Sequence, residues 1–346
     1  MKRYIVSCRV ITPLFMGGAD QQADQQAELR TQSINGMLRW WFRVAGGSKK
    51  DEEILFGWGG EKANQGLVRI KIISNKFESE PFPAIPGNRY VGDNRGYNYL
   101  GFSLKMTGRK AVPVGTEFKM KISFHPRSTE DDIKKFFAIL WLAFNLGNFG
   151  SRSRRGFGSI KIEKIEEDGR DITNNCFGLN FLPSENIEDW VEQNLKLVEK
   201  ILKPSPRKGI PYLLFNNLLP PLPPYTFDIG ENWQNLLDKI GRAYKEFRKT
   251  KRRLDRIVFG LPIIQIKDYK NLRRASPLIF KIIQLMEGNE PRYALLLIGM
   301  LPNEKHKFIF HPNLEGKVEV NWRLIFEFAK NPYKGGGNET SKAPRL

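Results

Sequence analysis

Apolar positions alternate or cluster along the chain in ways that predict its elements. Residues 4–14 form a β-branched run closed by Pro13 and the Gly17-Gly18 pair, and they read as a strand. Ile34, Met37, Leu38, Trp41, Phe42 and Ala45 recur at helical spacing, which predicts a helix from Ser33, as N-cap, to about Ala45, stopped by Gly46-Gly47. Residues 67–75 read as a second strand. Phe118, Met120, Ile122 and Phe124 alternate with polar neighbours and mark a third, half-buried one. Thr129 then caps a helix running through Trp141 to about Leu146, with Glu130, Asp131 and Asp132 in the turn where the helix dipole favours acids. Residues 159–165 form a fourth strand. Residues 80–99, rich in Pro, Gly, Asn and Tyr, read as an irregular insertion. The order strand, helix, strand, strand, helix, strand predicts an α+β fold of ferredoxin-like type. Two helices would cover one face of an antiparallel sheet, and the other face would stay free to be covered or to bind.

The second half is less regular. Helices are predicted at 186–202, 232–251 and 322–329, and strands at 212–218, 276–285 and 292–301, the last two joined by a turn at Glu287-Gly288-Asn289. This reads as a second, degenerate ferredoxin-like domain with loop insertions and no clear sequence repeat. With 346 residues, two domains are the expectation: residues 1–170 and residues 171–334, followed by a disordered Gly- and polar-rich tail at 335–346.

Charge changes the picture most. The chain carries 56 Lys and Arg against 37 Asp and Glu, a formal net charge of +19. Such an excess opposes compaction unless a polyanion offsets it, so nucleic acid is the default partner; a generally basic proteome or an acidic membrane surface are the bland alternatives. Cys8 and Cys176 stand far apart and suggest neither a disulfide framework nor a thiolate metal site. Arg9 interrupts the only apolar run near the start, so no signal peptide is read. The longest apolar run, 136–144, is far below the ~20 residues a membrane span needs. A soluble, cytoplasmic protein with no membrane partner is expected.

The sharpest motif is the segment from Gly147 to Ser159. Gly147, Gly150, Gly156 and Gly158 allow tight turns and close approach of a ligand, and Arg152, Arg154 and Arg155 supply planar forks suited to phosphate oxygens. A dinucleotide or P-loop needs a strand before the loop and a helix after it; here the order is reversed. The bland alternative is a solvated connection. A second group surrounds the first helix. Arg39 and Arg43, four apart, share one face; Arg30 and the Gly17-Gly18 turn fall at the same end, and Ser33 and Asn35 sit near the helix N-terminus, where free amides favour anions. Trp41 is read as core and Trp40 as either core or a stacking surface. The run 242–256 holds eight basic residues and two acidic ones, and Arg273-Arg274 is a further basic pair. The three histidines, His125, His306 and His311, have no neighbours at metal-ligand spacing, and their positions require no acid–base pair.

Thr12-Pro13-Leu14-Phe15-Met16-Gly17-Gly18-Ala19, Ala27-Glu28-Leu29-Arg30 and the block Ser33 to Arg43 closely resemble a known family: the first-numbered RAMP-superfamily subunits of the Cmr complex, the type III-B CRISPR RNA-guided effector. The loop ending Ser153-Arg154-Arg155-Gly156-Phe157-Gly158-Ser159-Ile160 is similar to the glycine-rich loop of RAMP proteins, and Arg274-Ala275-Ser276-Pro277 to the family's second half. The resemblance implies two ferredoxin-like domains. It also implies a place beside other RAMP subunits at the end of the complex holding the 3′ portion of the guide, with contacts to guide RNA and single-stranded target RNA, no cofactor and no cleavage by this subunit. Residues 19–26 make a loop longer than the family's usual one. Two alternatives stand beside this reading: a metal-independent endoribonuclease using a histidine, and a structural subunit that contacts only proteins.

Overall fold

The computed structural model describes residues 1–17, 26–59, 63–83, 95–102, 104, 107–205, 210, 212–215, 225–252, 254–260, 275–288, 290–302, 308–310 and 317–333. It is α+β, with antiparallel sheets. In strand β1 (Arg3–Val10) the alternation resolves into a buried set, Tyr4, Val6, Cys8 and Val10, and an outward set between them. Strands β2 (Val68–Ser74), β3 (Glu117–Phe124) and β4 (Ile160–Glu167) join it in the order β2-β3-β1-β4, and the short strand Arg170–Asp171 pairs beyond β4. All pairings are antiparallel.

Helix α1 (Thr31–Val44) buries Ile34, Leu38, Trp41, Phe42 and Val44. Ser33 is not its N-cap. The N-cap lies three residues earlier, at Arg30, whose backbone is extended and whose side chain caps nothing. The apolar stripe sets the helix phase but leaves its start open by a turn. Helix α2 (Lys49–Phe56) was not legible, because only Leu55 and Glu52 of its eight residues are buried and no apolar stripe forms. Ser48 starts it, its Oγ accepting from the Asp51 N–H at 3.0 Å. Helix α3 (Arg95–Leu100) occupies the end of the stretch read as irregular and runs one residue past it. Helix α4 (Glu130–Asn145) has the expected cap: Thr129 Oγ1 accepts from the Asp132 N–H while the Asp132 carboxylate accepts from the Thr129 N–H, an arrangement worth about 1 kcal/mol.

Helix α5 (Ile187–Leu202) packs on α4, with Trp190 and Trp141 rings 5.4 Å apart, so it contributes to the first half's core. Strand β5 (Tyr225–Gly230), helix α6 (Trp233–Thr250), strands β6 (Leu278–Glu287) and β7 (Glu290–Gly299), and helix α7 (Arg323–Lys330) follow. Their sheet runs β6-β7-β5, antiparallel throughout. The strand expected at 212–218 is described only as Tyr212–Leu213; residues 216–218 and the tail 335–346 lie outside the described residues.

The two cores interlock. Ile279, Ile283, Leu296 and Ile298 of the second sheet join the first half's core, while Ile11, Phe15 and Phe157 join the second half's. Helices α3 and α6 cross closely, with Asp238 Oδ1 accepting from the Gly96 and Tyr97 N–H groups at 2.9 and 3.0 Å. No described helix is long and apolar enough to cross a membrane.

Candidate nucleic-acid interface

The glycine- and arginine-rich loop is an ordered plug between the halves, not a solvated connection. Asn148 is its pivot: its amide nitrogen donates to Ser153 O at 2.6 Å and Phe280 O at 2.8 Å, and its oxygen accepts from Ser159 Oγ at 2.6 Å. Buried Thr12 donates to Gly156 O at 2.8 Å and accepts from the Ser159 N–H at 2.9 Å. Gly158 and Gly150 both have φ of 76°, and the Phe149 N–H bonds Gly158 O at 2.9 Å. Gly156, at φ 84°, lies so close to Leu237 of α6 that a Cβ would sit 2.3 Å from its Cδ2.

Two of the loop's three arginines use their donors inside the protein, where the sequence led us to expect forks presented to phosphate. Arg154 stacks on Trp40, 4.9 Å from the ring centroid, and donates to Ser276 O. Arg155 donates to Phe259 O at 3.0 Å and to Ser276 Oγ at 3.4 Å, with its guanidinium over Tyr244 at 4.8 Å and Phe280 at 5.6 Å. Each ties the first half's loop to the second half. Guanidiniums have five donors and stack well on rings, so an interdomain staple competes with phosphate for the same chemistry.

A cationic cluster nevertheless forms where this loop meets α3 and α6. Arg152, held at φ 60°, and Arg155 both have pKa values lowered, first by burial and then by neighbouring guanidinium charge. Arg248 of α6 donates to Tyr99 Oη at 2.8 Å and lies over the Tyr244 ring at 5.4 Å. Burial raises the pKa of the Tyr244 phenol, against the charges of Arg155, Arg248 and Arg152. Among the described residues no carboxylate contributes to any of these shifts. Tyr244 Oη and Arg248 Nε are buried with no hydrogen-bond partner among the described residues. Buried donors without partners are costly, and the unpartnered Tyr244 Oη and Arg248 Nε, beside the Arg155 guanidinium, are groups that an anion would satisfy. Sequence reasoning missed Tyr99 and Tyr244. The available signal was Tyr244 four residues before Arg248, one helical turn away on the same face.

The α1 arginines are also engaged. Glu52 of α2, 2% exposed, accepts from Arg39 Nε at 3.0 Å and from Arg43 Nη2 at 2.5 Å. The hydrogen bond to Glu52 raises the pKa of Arg43. Arg30 lies 3.9 Å from the Glu28 carboxylate. Ser33 and Asn35 lie in the first turns of α1, half-buried, and their side chains make no hydrogen bond to described residues. Gly17 pairs with Ala27 in an antiparallel bridge; Gly18, Arg273 and Arg274 lie outside the described residues. Trp41 is fully buried and Trp40 half-buried, consistent with packing for the first and a stacking role for the second that Arg154 already fills. Four of the eight basic residues in the run 242–256 are ion-paired among the described residues, as Arg242–Asp238, Lys249–Glu246, Lys251–Glu327 and Arg252–Asp255. His125 is exposed at the end of β3, its Nδ1 accepting from the Arg127 N–H at 3.2 Å; His306 and His311 lie outside the described residues. No group of three or more His, Cys, Asp or Glu side chains able to hold a metal occurs among the described residues.

Lys281 of β6 lies beneath the same loop, 2% exposed, donating to Gly147 O at 2.8 Å. Burial pushes its pKa down to about 7. Between about 7 and its ordinary value near 10.4 the unfolded chain holds a proton the folded chain lacks, so this group's contribution to stability rises with pH through that window. Below 7 the cost of the buried charge is fully present. Lys281→Met is therefore expected to stabilise the protein by about 1–3 kcal/mol at pH 6, less the lost bond to Gly147 O, and by clearly less at pH 9. Thermal unfolding at the two pH values checks this; an equal or larger gain at pH 9 would contradict it.

Residues 7–161 match the model of the RAMP superfamily, and residues 225–331 match that of the Cmr1-like C-terminal family. The CRISPR system Cmr subunit Cmr1-1 of Pyrococcus furiosus is 28% identical over 323 residues, 87% of each chain. Cmr1-2 of the same organism is 30% identical over 193 residues, 48% of this chain and 98% of its own length. The crystal structure of Cmr1 from Pyrococcus furiosus in its apo form has a TM-score of 0.58 at 24% identity, covering 94% of this chain and 96% of that one. A chain of the type III-B Cmr-beta complex, bound to cognate target RNA and AMPPnP in the presence of ssDNA, has a TM-score of 0.58 at 16% identity, with 95% and 98% covered. The chain belongs to the RAMP superfamily and, within it, to the Cmr1 family of Cmr complex subunits.

Proposed function

We propose that this chain is a non-catalytic RNA-binding subunit of a type III-B CRISPR effector, beside other RAMP subunits in the cytoplasm. It would grip the sugar-phosphate backbone of guide and single-stranded target RNA near the guide's 3′ end, needing no cofactor. The observation that carries this reading is the junction cluster: Arg155 and Arg248 beside Tyr99 and Tyr244, with Arg152 alongside, and Tyr244 Oη and Arg248 Nε buried with no hydrogen-bond partner among the described residues. A target-RNA-bound Cmr complex among the similar structures supports it. Ser33, Asn35, Gly17, Gly18, Arg30, Arg273 and Arg274 extend the proposed contact surface around the loop, while Arg154, Arg155, Gly156 and Gly158 shape it. We read the architecture as two ferredoxin-like domains, residues 1–170 and 171–334. The order β2-β3-β1-β4 supports the first, and β6-β7-β5 supports the second, which has the same order without a fourth strand among the described residues.

The test is binding of labelled single-stranded RNA by the full chain. Arg152→Ala with Arg248→Ala should weaken binding about tenfold for all sequences alike, and lower the salt slope by ~0.7 for each phosphate that is no longer neutralised. Selective weakening for one sequence, or binding indifferent to salt, would refute a backbone grip. RNA cleavage in EDTA that disappears in His125→Ala would instead establish the endoribonuclease.

A further inference from the structure

The arginines that stand out in the sequence are mostly occupied inside the protein, so the large positive excess must act elsewhere. Part of that excess lies on the face of the first sheet that points away from α1 and α4. The strand register sets Arg69, Ser123 and Arg3 in one row, and Lys71, Lys121, Ile5 and Glu166 in the next. Ile73, Lys119, Ser7 and Lys164 form a third. Arg3, Arg69, Lys71 and Lys119 are exposed and Lys121 is half-buried. None of these five has an ion pair or hydrogen bond through its side chain among the described residues. The acids of the same face are committed elsewhere. Glu166 pairs with Lys164 at 2.7 Å, and Glu117 and Glu163 pair with Arg9 at 2.7 and 2.6 Å.

Strands lie about 4.8 Å apart, and alternate residues on one strand about 6.7 Å apart, so five unneutralised cations share a patch only some 10 by 13 Å across. Their mutual repulsion destabilises the free protein, and a polyanion laid over them would relieve it. An open groove of about 660 Å³ borders the patch at Lys119; its lining also holds Lys164 and the carboxylates of Glu117, Glu163 and Asp171, so the five cations themselves, and not the groove, make the candidate site. The outward residues of the three rows include no aromatic ring, so bases have nothing to stack on and a ligand must be held by its phosphates. Ile5 and Ile73 are the only apolar side chains in the rows, too few for the apolar centre of a stable protein–protein contact.

We propose that this sheet face is a second, sequence-independent site for the phosphate backbone of a single-stranded RNA, separate from the loop junction and independent of it for its evidence. Five cations on a flat lattice suit a flexible strand crossing the sheet, with each neutralised phosphate adding to the salt dependence.

The test uses the full chain and two labelled oligouridylates, one long and one of eight nucleotides. Lys71→Glu with Lys119→Glu changes exposed strand positions, and Lys196→Glu with Lys200→Glu, at exposed positions of α5, makes the same change in net charge as a control. Thermal unfolding checks that both variants fold. The sheet pair should lose about tenfold in affinity for the long RNA and reduce its salt slope by ~1.4, while the control changes affinity less than twofold. Lys71→Gln with Lys119→Gln should lose about half as much on a logarithmic scale. Arg152→Ala with Arg248→Ala, the junction variant, should add its own loss to that of the sheet pair. Equal effects of the sheet pair and the control would mean bulk charge alone, and the proposal falls. It also falls if RNA binding is unchanged while assembly with neighbouring subunits is lost, which would assign the face to an acidic protein partner.

Discussion

Arg39→Ala combined with Arg43→Ala is expected to lower the stability of this protein by about 3–5 kcal/mol, before any effect on RNA is considered. The reason is Glu52. Its carboxylate is 2% exposed and receives donors from both guanidiniums, so removing them strips a buried charge of two of its cationic partners. A group in that position either stays ionised at high cost or takes up a proton. Adding Glu52→Gln to the double variant should recover most of the loss, because the neutral amide no longer needs the cations. Denaturant unfolding of the double and triple variants measures the difference; equal stabilities would mean that Glu52 does not depend on these arginines. The comparison also separates roles that a simple alanine scan would confuse. If the triple variant folds and still binds RNA normally, the first-helix arginines are structural, and their regular spacing reflects a shared partner in α2.

Gly158→Ala should be nearly as damaging, by at least about 3 kcal/mol, and should lower the melting temperature by roughly 6–12 °C. Two independent penalties act at this residue. Its φ of 76° is a conformation that costs an L-residue about 1 kcal/mol or more. A Cβ built there would lie 1.9 Å from the Phe149 carbonyl oxygen and 3.1 Å from Leu14 Cδ1. Because the first obstacle is backbone, relief requires moving the loop away from the Pro13 carbonyl that accepts the Gly158 N–H. The same movement would displace Arg152, Arg154 and Arg155, so RNA affinity should fall together with stability. Gly17→Ala is the contrasting case, since a Cβ there meets nothing within 4 Å. A melting temperature for Gly158→Ala within about 2 °C of the parent would show that the loop relaxes easily, contrary to this account.

The strands and long helices of the first half were legible because their apolar residues repeat with periods that only one backbone geometry can bury on one side. Phe118, Met120, Ile122 and Phe124 are all buried on β3, and Thr129 caps α4 as its position before three acids suggests. Helices α2 and α3 were not legible, since one opens with five consecutive charged residues and forms no apolar stripe, and the other is a single short segment between glycine- and proline-rich stretches. The α5 helix was legible as a helix. Nothing in its pattern said that it would pack on α4 rather than serve a separate second half.

The candidate site divides in the same way. Residue chemistry and spacing along the chain are enough to read a basic α+β protein, a glycine- and arginine-rich loop between a helix and a strand, and a family resemblance over both halves. Which arginines remain available is a different kind of fact. It depends on partners distant in sequence: Glu52 under α1, the Phe259 and Ser276 carbonyls facing the loop, and the phenols of Tyr99 and Tyr244 around Arg248. A guanidinium looks the same in one dimension whether it will meet a carboxylate, a carbonyl, a ring or a phosphate. Packing alone brings those partners within about 3 Å or keeps them away, and at that range a charge-assisted bond outweighs the weak preferences carried by local sequence.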